Sequence, residues 1–209
     1  LPGLGAPADL AALNTGVYHV FSSTPGDTPN TASRAQDAQN FAHASAETDA
    51  QTRSNGAKDD RYVRKVGTLT TPVPSPGGFG IAATHQFVMY PTPASPGSLI
   101  RAEELMLLRA EANIMTNNLA AALQDINAVR TVSGGLAQLG AFASQSAALD
   151  ALLYEKRYSL LFEGHRWNDL RRYGRLGTLP LDRPNHFVAR VMPIPSAECD
   201  GRTTKPNGC

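Results

Sequence analysis

The chain has almost no net charge. Its 19 Lys and Arg residues stand against 18 Asp and Glu, a formal +1 with His neutral. Nucleic-acid binders show a strongly basic face, so this balance gives that class no support. Long hydrophobic runs are also missing. No apolar stretch reaches the roughly 18 residues that a membrane helix needs. The opening LPGLGAPADL carries no basic segment, no long apolar stretch and no Met, so it is not an intact secretory signal. The chain reads as a processed product or a piece of something longer. Nucleophile signatures are absent: there is no G-x-S-x-G elbow and no Cys beside a catalytic His. GGFG at 77–80 lacks the Lys-Ser/Thr pair of a phosphate loop. His19, His43, His85, His165 and His186 are scattered without metal-ligand spacing. Neither a metal nor a cofactor is expected.

Cysteine is scarce, and both copies close the chain in CDGRTTKPNGC, Cys199 to Cys209. With no His in this tail a metal site is unsupported. Two free thiols or one disulfide remain. The Gly- and Pro-containing tail favours the bridge, which would pin a fraying terminus and place the protein in an oxidising compartment.

What is present suits a globular protein. At 209 residues with 42% hydrophobic content, the chain can bury a real core in about one domain. Its 18 Gly and 15 Pro make much of it loop. Helices are predicted over Ala8–Phe21 and Ser33–Thr52. Short strands are predicted in RYVRKVGTLT and IAATHQFVMY, confined to edges by the prolines that follow each. From Leu99 the pattern turns helical. Leu99–Thr116 places Leu105, Leu108, Ala112 and Met115 on one stripe, and Leu119–Val132 places Ala122, Leu123, Ile126 and Val129 on another. Asn118 is the expected N-cap of the second helix and Ser133-Gly134-Gly135 its stop. Arg101–Gly134 has the length of a tetratricopeptide helix pair, about 34 residues. A third helix is predicted over Ser146–Glu163 and a fourth over Arg166–Tyr173. FVARVMPIP then reads as an extended strap lying across the helices. The predicted fold is mainly α: tetratricopeptide-like helical hairpins, long irregular loops and at most short edge strands. The chain divides into a loop-rich variable region, 1–98, and a helical region, 99–209, with the strap and Cys-closed tail.

The densest charged run is EKRYSLLFEGHRWNDLRR. Glu155 and Glu163 could be a glycosidase pair, but eight helical residues separate them by about 12 Å, beyond the roughly 6.5–9.5 Å of an inverting pair. The alternative is a structural network. Glu155, Arg157, Glu163, Arg166, Trp167, Asp169 and Arg171 lie among apolar residues and are expected to pair with each other where helices cross. Trp167, the one Trp, is a core filler by its setting, although a lone Trp can also stack on a sugar. Tyr62, Phe79 and Tyr90 are loop aromatics free to touch a ligand.

Four segments resemble the SusD/RagB family of outer-membrane nutrient-binding lipoproteins. LIRAEELMLLRAEA (99–112) resembles its Arg-x-x-Glu-x-x-Leu-x-x-Ala-Glu-Ala helix. AALQDINAVRTVSGGL (121–136) resembles its Asn-x-Val-Arg helix and Gly-Leu turn. LLYEKRYSLLFEGHRWNDLRRYG (152–174) resembles its most specific motif, and VMPIPSAE (191–198) its closing Pro-Ile-Pro-x-x-Glu. DDR at 59–61 is similar to the Asp-Pro-Arg before the family's variable stretch. Lys156, Ser159 and Thr131-Val132-Ser133 depart from the family pattern, which loosens its charge network without deleting the main members.

The resemblance implies a non-enzymatic protein of the outer-membrane surface. It would bind an oligosaccharide or peptide and hand it to a TonB-dependent β-barrel transporter. It would meet the membrane only through a lipid anchor not present in this chain. No ligand residue carries over, because the matched motifs are framework. A helical interaction scaffold of a larger envelope assembly, without glycan binding, is the alternative.

Overall fold

The computed structural model describes residues 5–33, 40–74, 80–205 and 207–208. The chain forms two compact units, Leu1–Arg166 and Trp167–Cys209. The protein is mainly α, as its composition and periodicity predict.

The first unit opens with α1 (Leu10–Asn14), whose N-cap Asp9 accepts from the Ala12 amide at 2.9 Å. The helix predicted to continue to Phe21 stops there. Gly16–His19 is instead a strand, β1, paired antiparallel with β4 (Gly97–Arg101). A Cβ at Gly16 would lie 2.2 Å from the Ile100 carbonyl oxygen, so only glycine permits this pairing. The second predicted helix is also shorter. Its described part contains α2 (Ser45–Thr48), while 34–39 lie outside the described residues. The segment read as a strand from Arg61 begins as a helix, α3 (Asp60–Lys65), because Asp59 caps it by accepting from the Arg61 amide. The strand β2 follows at Val66–Pro74 and pairs with β3 (Ala82–Phe87), with a break in register between Thr68 and Val73. Among the described residues both sheets have two strands, and β3 is also bridged on its other side by Phe41 to Gln86.

Three longer helices hold the core. β4 takes Leu99–Arg101 from the predicted first helix, and α4 runs Ala102–Met115. A tight turn with Asn117 at φ 59° reverses the chain into α5 (Leu119–Gly134). Asn118 occupies the N-cap, yet its side chain makes no capping bond. Gly135 closes α5 in the left-handed region at φ 63°. α6 (Gln145–Ser159), capped by Ser144, packs on both α4 and α5. Leu13, Met106, Leu107, Ala110, Ile114, Ala122, Ile126, Val129, Ala148 and Leu152 form the main core. The buried face of α4 is therefore not the predicted one. Leu108 and Met115 are exposed, and Met106, Leu107, Ala110 and Ile114 point inward. α4 has apolar residues all round, and its rotation is set by Glu103 and Glu111, which are buried with Arg101 and Lys156 as counter-ions.

α6 ends four residues before the predicted Glu163. Its last carbonyl, Ser159 O, accepts from Lys65 Nζ at 2.5 Å and from Arg101 Nη2. These cations satisfy a helix end that would otherwise need continuation. Phe162 at φ 67° turns the chain and stacks on Phe87 with centroids 4.1 Å apart.

In the second unit, most of α7 (His165–Arg172) is followed by Gly174 at φ 68° and a 3-10 turn at Leu176–Thr178. The extended segment runs along α7: the Trp167 indole donates to Ala189 O at 2.8 Å and Arg171 Nε to Arg190 O at 2.9 Å. A last helix, α8 (Ser196–Gly201), was not visible in the sequence pattern. Among the described residues no helix is long and apolar enough to cross a membrane.

Candidate functional site

The conspicuous chemistry of the first unit is a buried charge network. At its centre Arg61, Asp59 and Glu155 are each fully buried. Asp59 caps α3 and, with the same carboxylate, accepts from Arg61 Nε at 2.9 Å and Nη2 at 2.6 Å. Arg61 Nη1 donates to Glu155 Oε2 at 2.5 Å and Ser159 Oγ at 3.1 Å. Glu155 Oε1 accepts from Arg130 Nη1 at 2.8 Å, and Arg130 reaches on to Gln51 Oε1 and Ala137 O. The Tyr154 hydroxyl donates to Asp59 Oδ2 at 3.1 Å. Burial alone would pull the Arg61 guanidinium down, but Glu155 and Asp59 outweigh it and raise it above its ordinary value. Burial pushes the Tyr158 hydroxyl up to about 12. Gly134 is part of the arrangement, since a Cβ there would lie 2.9 Å from Arg61 Nη2.

A second cluster adjoins it. Glu163 Oε1 accepts from Lys65 Nζ at 3.2 Å and Oε2 from Arg101 Nη1 at 2.7 Å. Arg101 Nε also donates to Glu103 Oε2 at 3.2 Å. Burial drops the Lys65 amine to about 8, with Glu163 restoring only part of the loss. Burial would raise the Glu103 carboxyl, yet the charge of Arg101 foremost holds it below the usual range. Glu103 Oε1 and Ser98 Oγ are buried without a hydrogen-bond partner. This cluster floors a cavity of about 370 Å³ in the first unit. Arg64 and Tyr90 line it together with Tyr18, Met89, Leu10 and Asn14.

Three of the predicted network residues, Glu155, Glu163 and Arg157, find charge partners on other segments. Glu155 meets Arg61 and Arg130, Glu163 meets Lys65 and Arg101, and Arg157 meets Asp49 at 2.7 Å and Ser45. Arg166 Nη1 donates to Leu153 O at 3.4 Å, and Asp169 accepts from Arg172 at 3.2 Å. Trp167 and Arg171 do meet each other, the guanidinium 5.3 Å from the ring centre. Glu155, Glu163 and Arg157 therefore take counter-charges from outside the predicted set. Helices in register bring α6 against α3 and α5, so the cations come from those elements and from β4. The missed partners Asp59, Arg61, Arg101 and Arg130 all sit in the DDR, Arg-x-x-Glu and Asn-x-Val-Arg motifs, where the signal lay.

Tyr62 is not a loop residue. It lies on α3, 6% exposed, packed with Ala42, Ala46 and Tyr158. Tyr90 does follow β3 in a loop and lines the cavity. Phe79 lies outside the described residues, as does Cys209. Cys199 is nearly buried on α8. Every oxygen of Glu155 and Glu163 is engaged by a cation. Among the described residues no group of three or more His, Cys, Asp or Glu is placed to hold a metal.

Comparison with curated proteins gives no match. Among solved structures the chain is similar to a SusD superfamily protein from Bacteroides vulgatus ATCC 8482, with 22% identity and TM-score 0.49, covering 60% of this chain and 31% of that one. A SusD superfamily protein from Bacteroides fragilis NCTC 9343 shows 18% identity and TM-score 0.48 over 74% of this chain and 39% of its own. A SusD-like protein from the same organism shows 18% identity and TM-score 0.44 over 70% and 34%. The chain therefore spans between 31% and 39% of the length of these structures. The model of the SusD family matches residues 94–207, more than half of the chain, and takes in α4 to α8 with Arg101, Arg130, Glu155 and Glu163. The chain belongs to the SusD family.

Proposed function

We propose that the protein is a non-enzymatic nutrient-binding component of glycan uptake at the outer-membrane surface, working with a TonB-dependent β-barrel transporter. The observation that carries this reading is the family match over residues 94–207. The engagement of each Glu155 and Glu163 oxygen by a cation assigns these two residues to the framework and argues against their acting as a glycosidase pair. On this reading residues 99–209 carry the family framework and 1–98 the variable part. A Cys199–Cys209 bridge would suit an oxidising envelope, and an intact mass about two units below the reduced value would establish it. The ligand is an oligosaccharide or peptide.

Co-purification from gently solubilised envelopes of the native source tests the reading. A β-barrel transporter in stoichiometric amount is the expected result. Recovery with another assembly, or alone, would overturn it in favour of a helical scaffold.

A further inference from the structure

The cavity beside β4 holds five charged side chains. Arg64, Lys65 and Arg101 supply three positive charges, and Glu103 and Glu163 two negative ones. Lys65 and Arg101 are paired with the two glutamates. Arg64 is the exception. Its Nη2 donates to Ser133 O at 2.9 Å and Oγ at 3.2 Å, and it has no carboxylate partner among the described residues. Its remaining guanidinium donors are unmatched, and the side chain is exposed at the cavity rim, where a solute reaches it. Burial of part of the group pulls its pKa down, and Glu103 and Asp60 offset part of that.

The neighbours of Arg64 narrow the choice of anion. Tyr90 is half-buried on the same wall, and its hydroxyl has no hydrogen-bond partner among the described residues. Asn14 offers an exposed side-chain amide, and Met89 and Leu10 an apolar surface. A bare inorganic anion would use the guanidinium and leave the hydroxyl, amide and apolar wall idle. A neutral sugar would use these and leave the excess charge unmet. A sugar ring bearing one carboxylate uses both: the planar carboxylate takes two parallel bonds from the guanidinium, ring hydroxyls meet Tyr90 and Asn14, and the apolar ring face lies on Met89 and Leu10. The cavity, at about 370 Å³, falls within the usual range for small-ligand sites.

We propose that this cavity is a binding site for a carboxylate-bearing sugar, with Arg64 as the residue that selects the acid over its neutral counterpart. The inference rests on the nutrient-capture reading and names a ligand class and a place for it. The tyrosine supplies polar and ring contact, and the paired glutamates keep Lys65 and Arg101 from competing for the acid.

Calorimetric titration of the full chain with D-glucuronate, D-glucose and acetate tests it. Glucuronate is expected to bind one to one, with glucose and acetate weaker by about tenfold or more, and with affinity falling as salt rises. Arg64→Gln breaks no ion pair but loses the bonds to Ser133, so it should stay folded with a small fall in melting temperature and lose the preference for glucuronate over glucose. Tyr90→Phe should weaken glucuronate and leave acetate unchanged. Equal affinity for glucose and glucuronate, equal affinity for acetate and glucuronate, no glucuronate binding, or an unaltered preference in Arg64→Gln would each overturn the proposal. Binding of neutral oligosaccharides without glucuronate, alongside a co-purifying transporter, would sink this inference and leave the nutrient reading standing. Absence of both would sink the two together.

Discussion

At the scale of single residues, Gly134 and Arg61 depend on each other. Replacing a glycine inside a helix by alanine ordinarily gains about 1 kcal/mol from backbone entropy. Here the new Cβ would press on Arg61 Nη2 at 2.9 Å, and that nitrogen is held by Asp59 at 2.6 Å. Breaking a buried pair costs about 3–5 kcal/mol, so the loss outweighs the gain. Gly134→Ala is expected to destabilise the protein by about 2 kcal/mol or more in urea denaturation. A stabilised variant would show that Arg61 can move aside freely. Lys65 gives a second test, through pH. Its amine sits near 8 in the folded protein against 10.5 when unperturbed, so the unfolded chain binds the extra proton between those values. Unfolding free energy therefore gains a rising contribution as pH climbs from 8 to 10.5. Below that window both states are protonated, and the burial penalty is fully present. The stability of the wild type relative to Lys65→Met should rise across this window in denaturant titrations. Parallel curves for the two proteins would contradict the assignment.

At the scale of elements, local pattern and distant pairing separate cleanly. α4, α5 and α6 were legible because each repeats apolar residues at helical spacing, and Gly135 marked the end of α5. β1 was not, because its partner β4 lies far along the chain and only their contact explains why Gly16 must lack a side chain. The early end of α6 was hidden for the same reason: Lys65 and Arg101 reach Ser159 O from other elements. Of the candidate site, the motif glutamates were readable and their partners were not, since sequence spacing carries no information about which helix faces which. The α4–α5 turn offers a local test. Asn117 holds φ 59°, a conformation that asparagine tolerates and alanine resists by about 1–2 kcal/mol. Asn117→Ala should lower thermal stability while Asn117→Gly leaves it nearly unchanged. Equal losses in both would place the contribution in the asparagine side chain instead of the backbone.

At the scale of the whole molecule, the family match and the folding unit do not share a boundary. The match begins at residue 94, yet the helices it covers are completed by residues before it. Leu13, fully buried, packs with α4 and α5 in the main core. Arg61, held by Asp59, occupies one oxygen of Glu155, Gln51 the far end of Arg130, and Lys65 one oxygen of Glu163. Tyr158 on α6 is covered by Ala42, Ala46 and Ala50. Without this front region α6 would turn a charged and aromatic face, now buried, to solvent, and the α4–α5–α6 core would lose its Leu13 side. The apolar cost is of the order of 2–5 kcal/mol for the leucine alone, a large share of the stability of a typical domain. A chain of residues 94–209 is therefore expected to keep helical circular dichroism but to melt over a broad range, without the cooperative transition of the whole protein. A sharp transition at the same midpoint would mean that the front region decorates a self-sufficient framework. The broad melt would mean instead that the first 93 residues are structural partners of the family's helices, so that ligand loops and charge network in the first unit stand or fall together.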